Sequence, residues 1–348
     1  MTGGAPPAGR GGRSADLPRW RLLDLGSCEP VRAQAFVESV AESVGRGDSP
    51  NTLLVARPER PYISIGFHQS LGEEIDPEFL VRRPVPVLRR VEGGGTTWLD
   101  PDQWFYQLVY RDEGGGPGGA SDLARFLQAP VRVLTATGLR AEVRLPSDVV
   151  VGARKISGNA GGDWAEAHIV VGGLLGRTDS AAMAGLMRLP HEAIRPLLHA
   201  EIARHLTSWM DETGEAPDWA RVRGDLVAAY QDLGLFRAEP GRPTEEEEAR
   251  FSSEVVARHR DRAWMEVAPV PRPRDRLLRR IRVAGPHGLL VLALDGSDEI
   301  AVVVVEGARA TRAYLLDPAP TARLRPVEGS SARFRALRNE VVARAPFA

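Results

Sequence analysis

The sequence predicts an α+β fold, a mixed-sheet domain followed by a small C-terminal accessory domain. Three observations point there. The chain has 348 residues, more than one domain of about 150 residues usually holds. Short apolar runs of strand length alternate with amphipathic stretches through residues 17–240, the mark of strands and helices mixed along one unit. A proline-rich break at residues 267–273 then sets off a tail of strand-like runs, because each proline denies a backbone donor. Apolar residues make up 43% and charged residues 26% of the chain, a globular balance that excludes disorder throughout.

The elements follow in order. Residues 20–25 form a short apolar strand, and residues 31–44 carry apolar side chains at helical spacing until Gly45 stops them. Strands are expected at 53–56, 62–66 and 86–90, each bounded by Pro, Gly or polar residues. After Gly93-Gly94-Gly95 come an apolar stretch at 104–110, a loop at 114–119 of five glycines and one proline, and an amphipathic helix at 120–137. Strands at 148–151 and 169–175 flank a polar segment, 154–162, and helices are expected at 180–189 and 194–210. A charged helix over 244–262 opens on a capping box of Thr244 with Glu247, and Glu245 to Glu248 complement its macrodipole. Strand-like runs around the turn Asp295-Gly296 fill residues 281–316. The organisation is therefore a disordered tail (1–16), a catalytic domain (17–240), a helix and proline-rich linker (241–275) and the accessory domain (276–348).

Composition excludes several classes of function. The formal charge is −1, so no overall field draws the chain to nucleic acid or an anionic membrane, and neither is expected as a partner. Residues 1–16 have no apolar run, so they read as neither signal peptide nor anchor. No apolar run approaches the roughly 20 residues of a membrane helix, and the protein is expected to be soluble and cytoplasmic. One cysteine, Cys28, leaves no internal disulfide framework and little for a Cys-built zinc site. The seven histidines lack metal-ligand spacing such as HExxH, so no built-in metal is expected. Six arginines in residues 271–282 read as a solvated linker and helix face, or as a surface for an acidic carrier domain. The 45 basic residues are 44 arginines and one lysine, Lys155. Arginine was accepted wherever charge alone sufficed, so position 155 asks for something a guanidinium does not supply.

Two segments carry the chemistry. In Arg89-Arg90-Val91-Glu92-Gly93-Gly94-Gly95-Thr96-Thr97-Trp98, three glycines after a strand let a backbone approach a ligand and offer N–H groups to an anion, with an arginine as counter-charge. The run also fits a glycine-rich hairpin turn, and it lacks P-loop and Rossmann spacings. In Asp148-Val149-Val150-Val151-Gly152-Ala153-Arg154-Lys155-Ile156-Ser157-Gly158-Asn159-Ala160, the lone lysine precedes a Ser-Gly-Asn turn. Its compact ammonium, with three rotatable donors, is able to follow charge as it moves from one oxygen to another. An ordinary surface lysine is the alternative.

Together these motifs resemble the lipoate-protein ligase A branch of the biotin/lipoate ligase superfamily. Residues 20–24, Ser64-Ile65-Gly66-Phe67-His68-Gln69 and Gly172-Gly173-Leu174-Leu175 extend the resemblance, which covers roughly residues 17–265. It implies the mixed-sheet fold of that type and a two-step reaction. A carboxylic acid, classically lipoate, is activated by ATP with Mg2+ to an acyl-adenylate. The acyl group then passes to a lysine of a lipoyl-carrier domain, of the 2-oxoacid dehydrogenase E2 or glycine cleavage H protein type. Carried over, Lys155 is the catalytic contact to acyl carbonyl and phosphate. Arg90, Gly93, Gly94, Gly95, Thr96, Thr97, Trp98, Ser157, Gly158, Asn159 and Asp148 bind the nucleotide and adenylate.

Three positions depart from the family pattern. Glu92 stands for a small hydroxyl or glycine, Val171 for a histidine and Ser147 for an asparagine. Two alternatives stay open on the same fold: an octanoyl or lipoyl transferase, and a non-catalytic acyl- or nucleotide-binding paralogue. The transferase needs a cysteine nucleophile and no ATP, yet positions 138–150, where such enzymes place theirs, contain none.

Overall fold

The computed structural model describes residues 17–111, 120–266, 277–284, 287–293, 300–306, 309–317 and 323–344. The tail 1–16, the glycine-rich loop 114–119, the proline-rich break 267–273, the turn 295–296 and the first half of the basic stretch 271–282 lie outside the described residues. In chain order the strands are β1 (Arg19–Cys28), β2 (Thr52–Pro58), β3 (Tyr62–Ile65), β4 (Val87–Arg89), β5 (Thr97–Leu99), β6 (Gln103–Tyr110), β7 (Ala141–Arg144), β8 (Asp148–Val151), β9 (Arg154–Trp164), β10 (Ala167–Leu175) and β11 (Arg237–Pro240). The accessory domain adds β12 (Leu277–Ala284), β13 (His287–Ala293), β14 (Ile300–Glu306), β15 (Arg309–Leu316) and β16 (Leu324–Pro326).

The fold is α+β with a mixed main sheet, ordered β11-β1-β2-β6-β10-β9-β8-β7. Its first three strands run parallel and every later pairing is antiparallel. A small sheet, β4-β3-β5, lies apart from it, and β12 to β16 form an antiparallel sheet of their own.

Alternation along the strands divides the core. On one face of the main sheet, Trp20, Tyr106 and Val170 pack with helices Gln128–Ala136 and Trp219–Asp232. The Trp20 and Phe236 rings stack there at 4.0 Å. On the other face, Phe105, Val109 and Ile169 meet helix Pro30–Arg46 and Tyr62 of the small sheet. A third cluster joins Ile65 and Trp98 to Leu198 and Ile202 of helix Arg195–His205, and to Ile281 and Val302 of the accessory sheet.

Several elements differ from expectation for identifiable reasons. Helix Pro30–Arg46 runs through Gly45 and stops at Gly47, which takes a left-handed φ of 81° and donates its N–H to the Ser43 and Val44 carbonyls. Gly45 serves packing instead: a Cβ there would lie 1.8 Å from the Ala165 carbonyl oxygen. The expected helix at 120–137 is two, Ala120–Phe126 and Gln128–Ala136. Pro130 has no N–H for the Phe126 carbonyl, so the ladder breaks at Leu127. The polar segment 154–162, including the supposed Ser157-Gly158-Asn159 turn, is strand β9, paired on both sides. Helix Trp219–Asp232, strands β5, β7 and β11, and helix Ala332–Arg344 were not expected.

The capping box is present, but the acidic run does more than face a dipole. Glu247 is buried and takes a two-pronged contact from Arg21 at 2.6 and 3.0 Å, while Glu248 pairs with Arg32. With Phe251 and Val255 in the core beside Phe36, this helix packs against the main sheet's helix Pro30–Arg46.

Candidate active site

Register sets out the site on the face of the main sheet that meets helix Pro30–Arg46. Gly158, Gly173 and Phe105 lie in one row across β9, β10 and β6, and Ala160, Val171 and Gln107 lie in a second row two residues along. Side chains of one face alternate along each strand, so Gly158, Ala160 and Gly173 leave a trough where larger residues would fill it. This trough is part of a cavity of about 270 Å³. Its roof is β3, β5 and residues 94–96 of the glycine turn, and its lining extends to helices 180–186 and 195–205 and the accessory strand β12.

Lys155 stands at the mouth. Its Nζ is 2.7 Å from Asp148 Oδ1, and its chain lies over Gly158, where a Cβ would be 2.9 Å from both Cε and Nζ. Asp148, buried on the neighbouring strand, also takes a 3.0 Å bond from Arg144. Two cations therefore fix one carboxylate, and the carboxylate fixes the direction of the ammonium.

The other expected residues divide by face. Lys155, Asp148, Gly158, Asn159, Arg90, Gly94, Gly95, Thr96, Thr97 and Trp98 line the cavity; Ser157 and Gly93 do not. Ser157 is fully buried on the opposite face, 3.2 Å from Tyr106 Oη. Asn159 accepts from that hydroxyl at 2.5 Å and donates to the Ser147 carbonyl at 2.8 Å, so its side chain braces the loop before Asp148. Trp98 belongs mainly to the core, its indole N–H bound to Asp100 at 2.9 Å.

The glycine turn is organised from within. Arg90 spends its guanidinium on the carbonyls of Gly93 and Gly95 and on Ser64, so it builds the turn and is not left as a counter-charge. Gly94 has φ of 99°, and its carbonyl oxygen would be 2.2 Å from a Cβ at Gly66. Gln69 accepts from the Gly66 N–H and from Thr96 Oγ1, which gives the Gly-x-x-Gln segment its role. Arg89 bonds five carbonyls, those of Gly66, Phe67, Gln69, Trp264 and Met265. It thereby ties helix Arg262–Met265 to the small sheet.

Glu92 sits at the deep end, 3% exposed, over Gly162. Burial pushes its carboxyl from the ordinary 4.5 up to about 7; its own N–H and Arg90 act the other way, and Glu38 adds to the rise. Burial among these groups thus favours the neutral acid over the carboxylate. The raised value has a stability consequence. The folded state favours the neutral acid, so this group's contribution is full below about pH 4.5 and is lost as pH rises through about 7, up to on the order of 3 kcal/mol. Glu92→Gln, neutral at every pH, is expected to gain melting temperature relative to the native chain between pH 5 and pH 8. Thermal melts across that range check it; a constant difference would refute it.

Gln34, Tyr62 and Gln107 also line the deep end and were not anticipated from sequence. Gln107 interrupts an apolar strand run, and Gln34 shares the apolar face of its helix with Val37 and Ala41. Both were available signals. Among the described residues no group of three or more His, Cys, Asp or Glu side chains gathers for a metal, and no helix is long and apolar enough to cross a membrane.

The site thus sets an ammonium held by a carboxylate beside a narrow trough floored by small residues. The sequence profile of the lipoyl protein ligase A/B catalytic domain matches residues 29–231, and the chain belongs to that family. An octanoyltransferase LipM of Kyrpidia tusciae is 26% identical over 271 residues, spanning 71% of this chain and 98% of its own length. Lipoate-protein ligase LplJ of Bacillus subtilis is 30% identical over 113 residues, 32% of this chain and 33% of its own. Among solved structures, the bi-partite lipoate protein ligase of Thermoplasma acidophilum superposes with TM-score 0.64 at 20% identity, covering 73% of this chain and 99% of that one. A lipoate-protein ligase A bound with ATP gives 0.60 at 22%, covering 71% and 98%. These likenesses bear out the fold, and the relatives include both octanoyltransferases and lipoate-protein ligases.

Proposed function

We propose that the chain passes an octanoyl- or lipoyl-type acyl group from an activated donor to the lysine of a lipoyl-carrier domain, with no acyl-enzyme thioester. The Lys155–Asp148 pair at the mouth of a trough without a thiol on its wall carries this reading. The carrier amine attacks the acyl carbonyl, the bond to the donor's leaving group breaks, and the amine gives up its proton. The enzyme contributes alignment and a fixed ammonium opposite the developing negative charge.

For the donor, a preformed acyl thioester has two supports. A relative matched along nearly its whole length is named an octanoyltransferase, and Arg90 is committed to carbonyls. ATP-dependent activation of the free acid has one observation in its favour. Cys28 lies off the cavity wall, and burial pushes its thiol up to about 11, so the protein lacks the nucleophile a thioester relay uses. On that second reading Lys155, Thr96, Thr97 and the Gly94–Gly95 turn are the residues that would hold ATP with Mg2+, which supplies the adenylate.

Weighing a carrier domain of E2 or glycine cleavage H type by mass spectrometry separates the donors. One mixture contains an octanoyl thioester, the other octanoate, ATP and Mg2+. Acylation in the first supports transfer, in the second ligation, and in neither overturns the proposed function. Cys28→Ser is expected to leave the rate unchanged; loss of turnover with a native melting curve would restore a thiol mechanism.

A further inference from the structure

We propose that Lys155 is a latent self-acylation site, and that Asp148 is the positioning residue that keeps the acyl group from being captured there. This rests on the acyl-transfer reading above and deepens it, by stating what stops the enzyme from inactivating itself with its own donor.

The hazard begins with composition. Activated acyl groups are captured by free amines, and a guanidinium, which keeps its proton, is no acceptor. With 44 arginines and one lysine, the side chains offer a single primary amine. That amine lines the cavity. No cysteine and no histidine stands among the described residues of the lining, so there is neither a competing thiol nor an imidazole to activate the hydroxyls of Ser64, Thr96 and Thr97.

Position makes the hazard acute. A donor bonded to an acyl carbonyl oxygen lies close to the carbonyl carbon, and roughly 3–3.5 Å is also the distance of nucleophilic attack. Only a proton separates the two outcomes. An ammonium has no lone pair and stabilises the developing charge; a neutral amine in the same place attacks. An amide bond then forms between Nζ and the acyl carbon, and the bond from that carbon to the donor's leaving group breaks. The leaving group departs with the electron pair and takes up the proton that Nζ gives up. The resulting amide is uncharged, and the site is spent after one event.

The structure supplies the restraint. Asp148 is buried, and its Oδ1 lies 2.7 Å from Nζ, while the Lys155 side chain keeps 23% of its surface exposed. The other oxygen takes Arg144 at 3.0 Å. Glu212, on the segment whose Thr207 N–H donates to the Lys155 carbonyl, is committed to Arg154 and to Thr207 Oγ1. A carboxylate at such range favours the charged form of an amine, and a neighbouring cation favours the neutral form. Asp148 does the first and offsets Arg144. Without it, Arg144 is left to promote the neutral, nucleophilic amine.

The test is intact-mass spectrometry of the full-length chain incubated with an octanoyl thioester, or with octanoate, ATP and Mg2+, with and without the carrier domain; tandem spectra place any adduct. The native chain is expected to acylate the carrier and to leave Lys155 bare. Asp148→Asn keeps the shape and loses the charge, and it is expected to gain one octanoyl group on Lys155 about 100-fold faster than the native chain. The double variant Asp148→Asn with Lys155→Arg separates this adduct from one on the chain's α-amine. A folded Asp148→Asn chain that stays bare at Lys155, or a native chain acylated there as fast as the variant, overturns the proposal, and carrier acylation then leaves the function standing. If melting curves show Asp148→Asn unfolded, the native chain at about pH 10, where amines shed protons in quantity, decides: octanoyl on Lys155 supports the proposal and a bare Lys155 overturns it. If neither enzyme nor carrier gains octanoyl in any mixture, the acyl-transfer reading falls and this inference falls with it.

Discussion

Replacing Lys155 by arginine is expected to reduce carrier acylation by about 100-fold to 1,000-fold, nearly as much as replacing it by alanine. The scale is that of removing one preorganised donor to developing charge. Charge alone does not rescue the site, because the geometry is specific to an ammonium. Nζ sits 2.7 Å from Asp148 Oδ1 in the space left by Gly158, and the other oxygen of that carboxylate already holds Arg144. A guanidinium is planar and wider. It would press on the Gly158 backbone or compete with Arg144, and in neither case would its donors reach the point the ammonium occupies. Initial rates followed by mass spectrometry, with melting curves to show the fold intact, measure the effect. An arginine variant at native rate would mean that position 155 supplies charge without geometry.

How much of this was legible in the sequence depends on which residues carried it. The lone lysine was legible because 44 other basic positions accepted arginine. The strands at 53–56, 62–66 and 104–110 were legible because their apolar runs are bounded by turn residues. The strand that carries the lysine was not. Ser157, Gly158 and Asn159 read locally as a turn, and what extends them is pairing with β8 and β10, a tertiary effect that overrides propensity. The same residues are polar on one face to serve Tyr106 and Ser147, and small on the other to open the trough. Arg90 was legible as important but not as internal, since only the folded turn shows its donors spent on Gly93 and Gly95. The polar deep end needed the fold, which brings helix Pro30–Arg46, β3 and β6 together from distant parts of the chain.

Gly172→Ala is expected to destabilise the chain by about 3 kcal/mol or more, at the upper end for overpacking a well-filled core. A Cβ at 172 would lie 2.2 Å from Tyr106 Cζ and 2.2 Å from Asn159 Oδ1. Neither neighbour is free to retreat. Tyr106 is fully buried among the core aromatics, and its hydroxyl is bonded to Ser157 and Asn159; Asn159 in turn holds the Ser147 carbonyl beside Asp148. The clash therefore reaches the Lys155–Asp148 pair through hydrogen bonds as well as through packing. At about 2–4 °C per kcal/mol for a domain of this size, the melting temperature should fall by roughly 6–12 °C. Gly173→Ala is the control, because its Cβ would meet Phe105 at an ordinary 3.4 Å on the opposite face. That variant is expected to melt near the native temperature yet lose acyl transfer, its methyl occupying the trough floor. Stability lost at 172 and activity lost at 173 would show that adjacent glycines serve opposite faces of one strand. Equal melting temperatures would show that the Tyr106 ring yields, and that strand register alone holds the lysine in place.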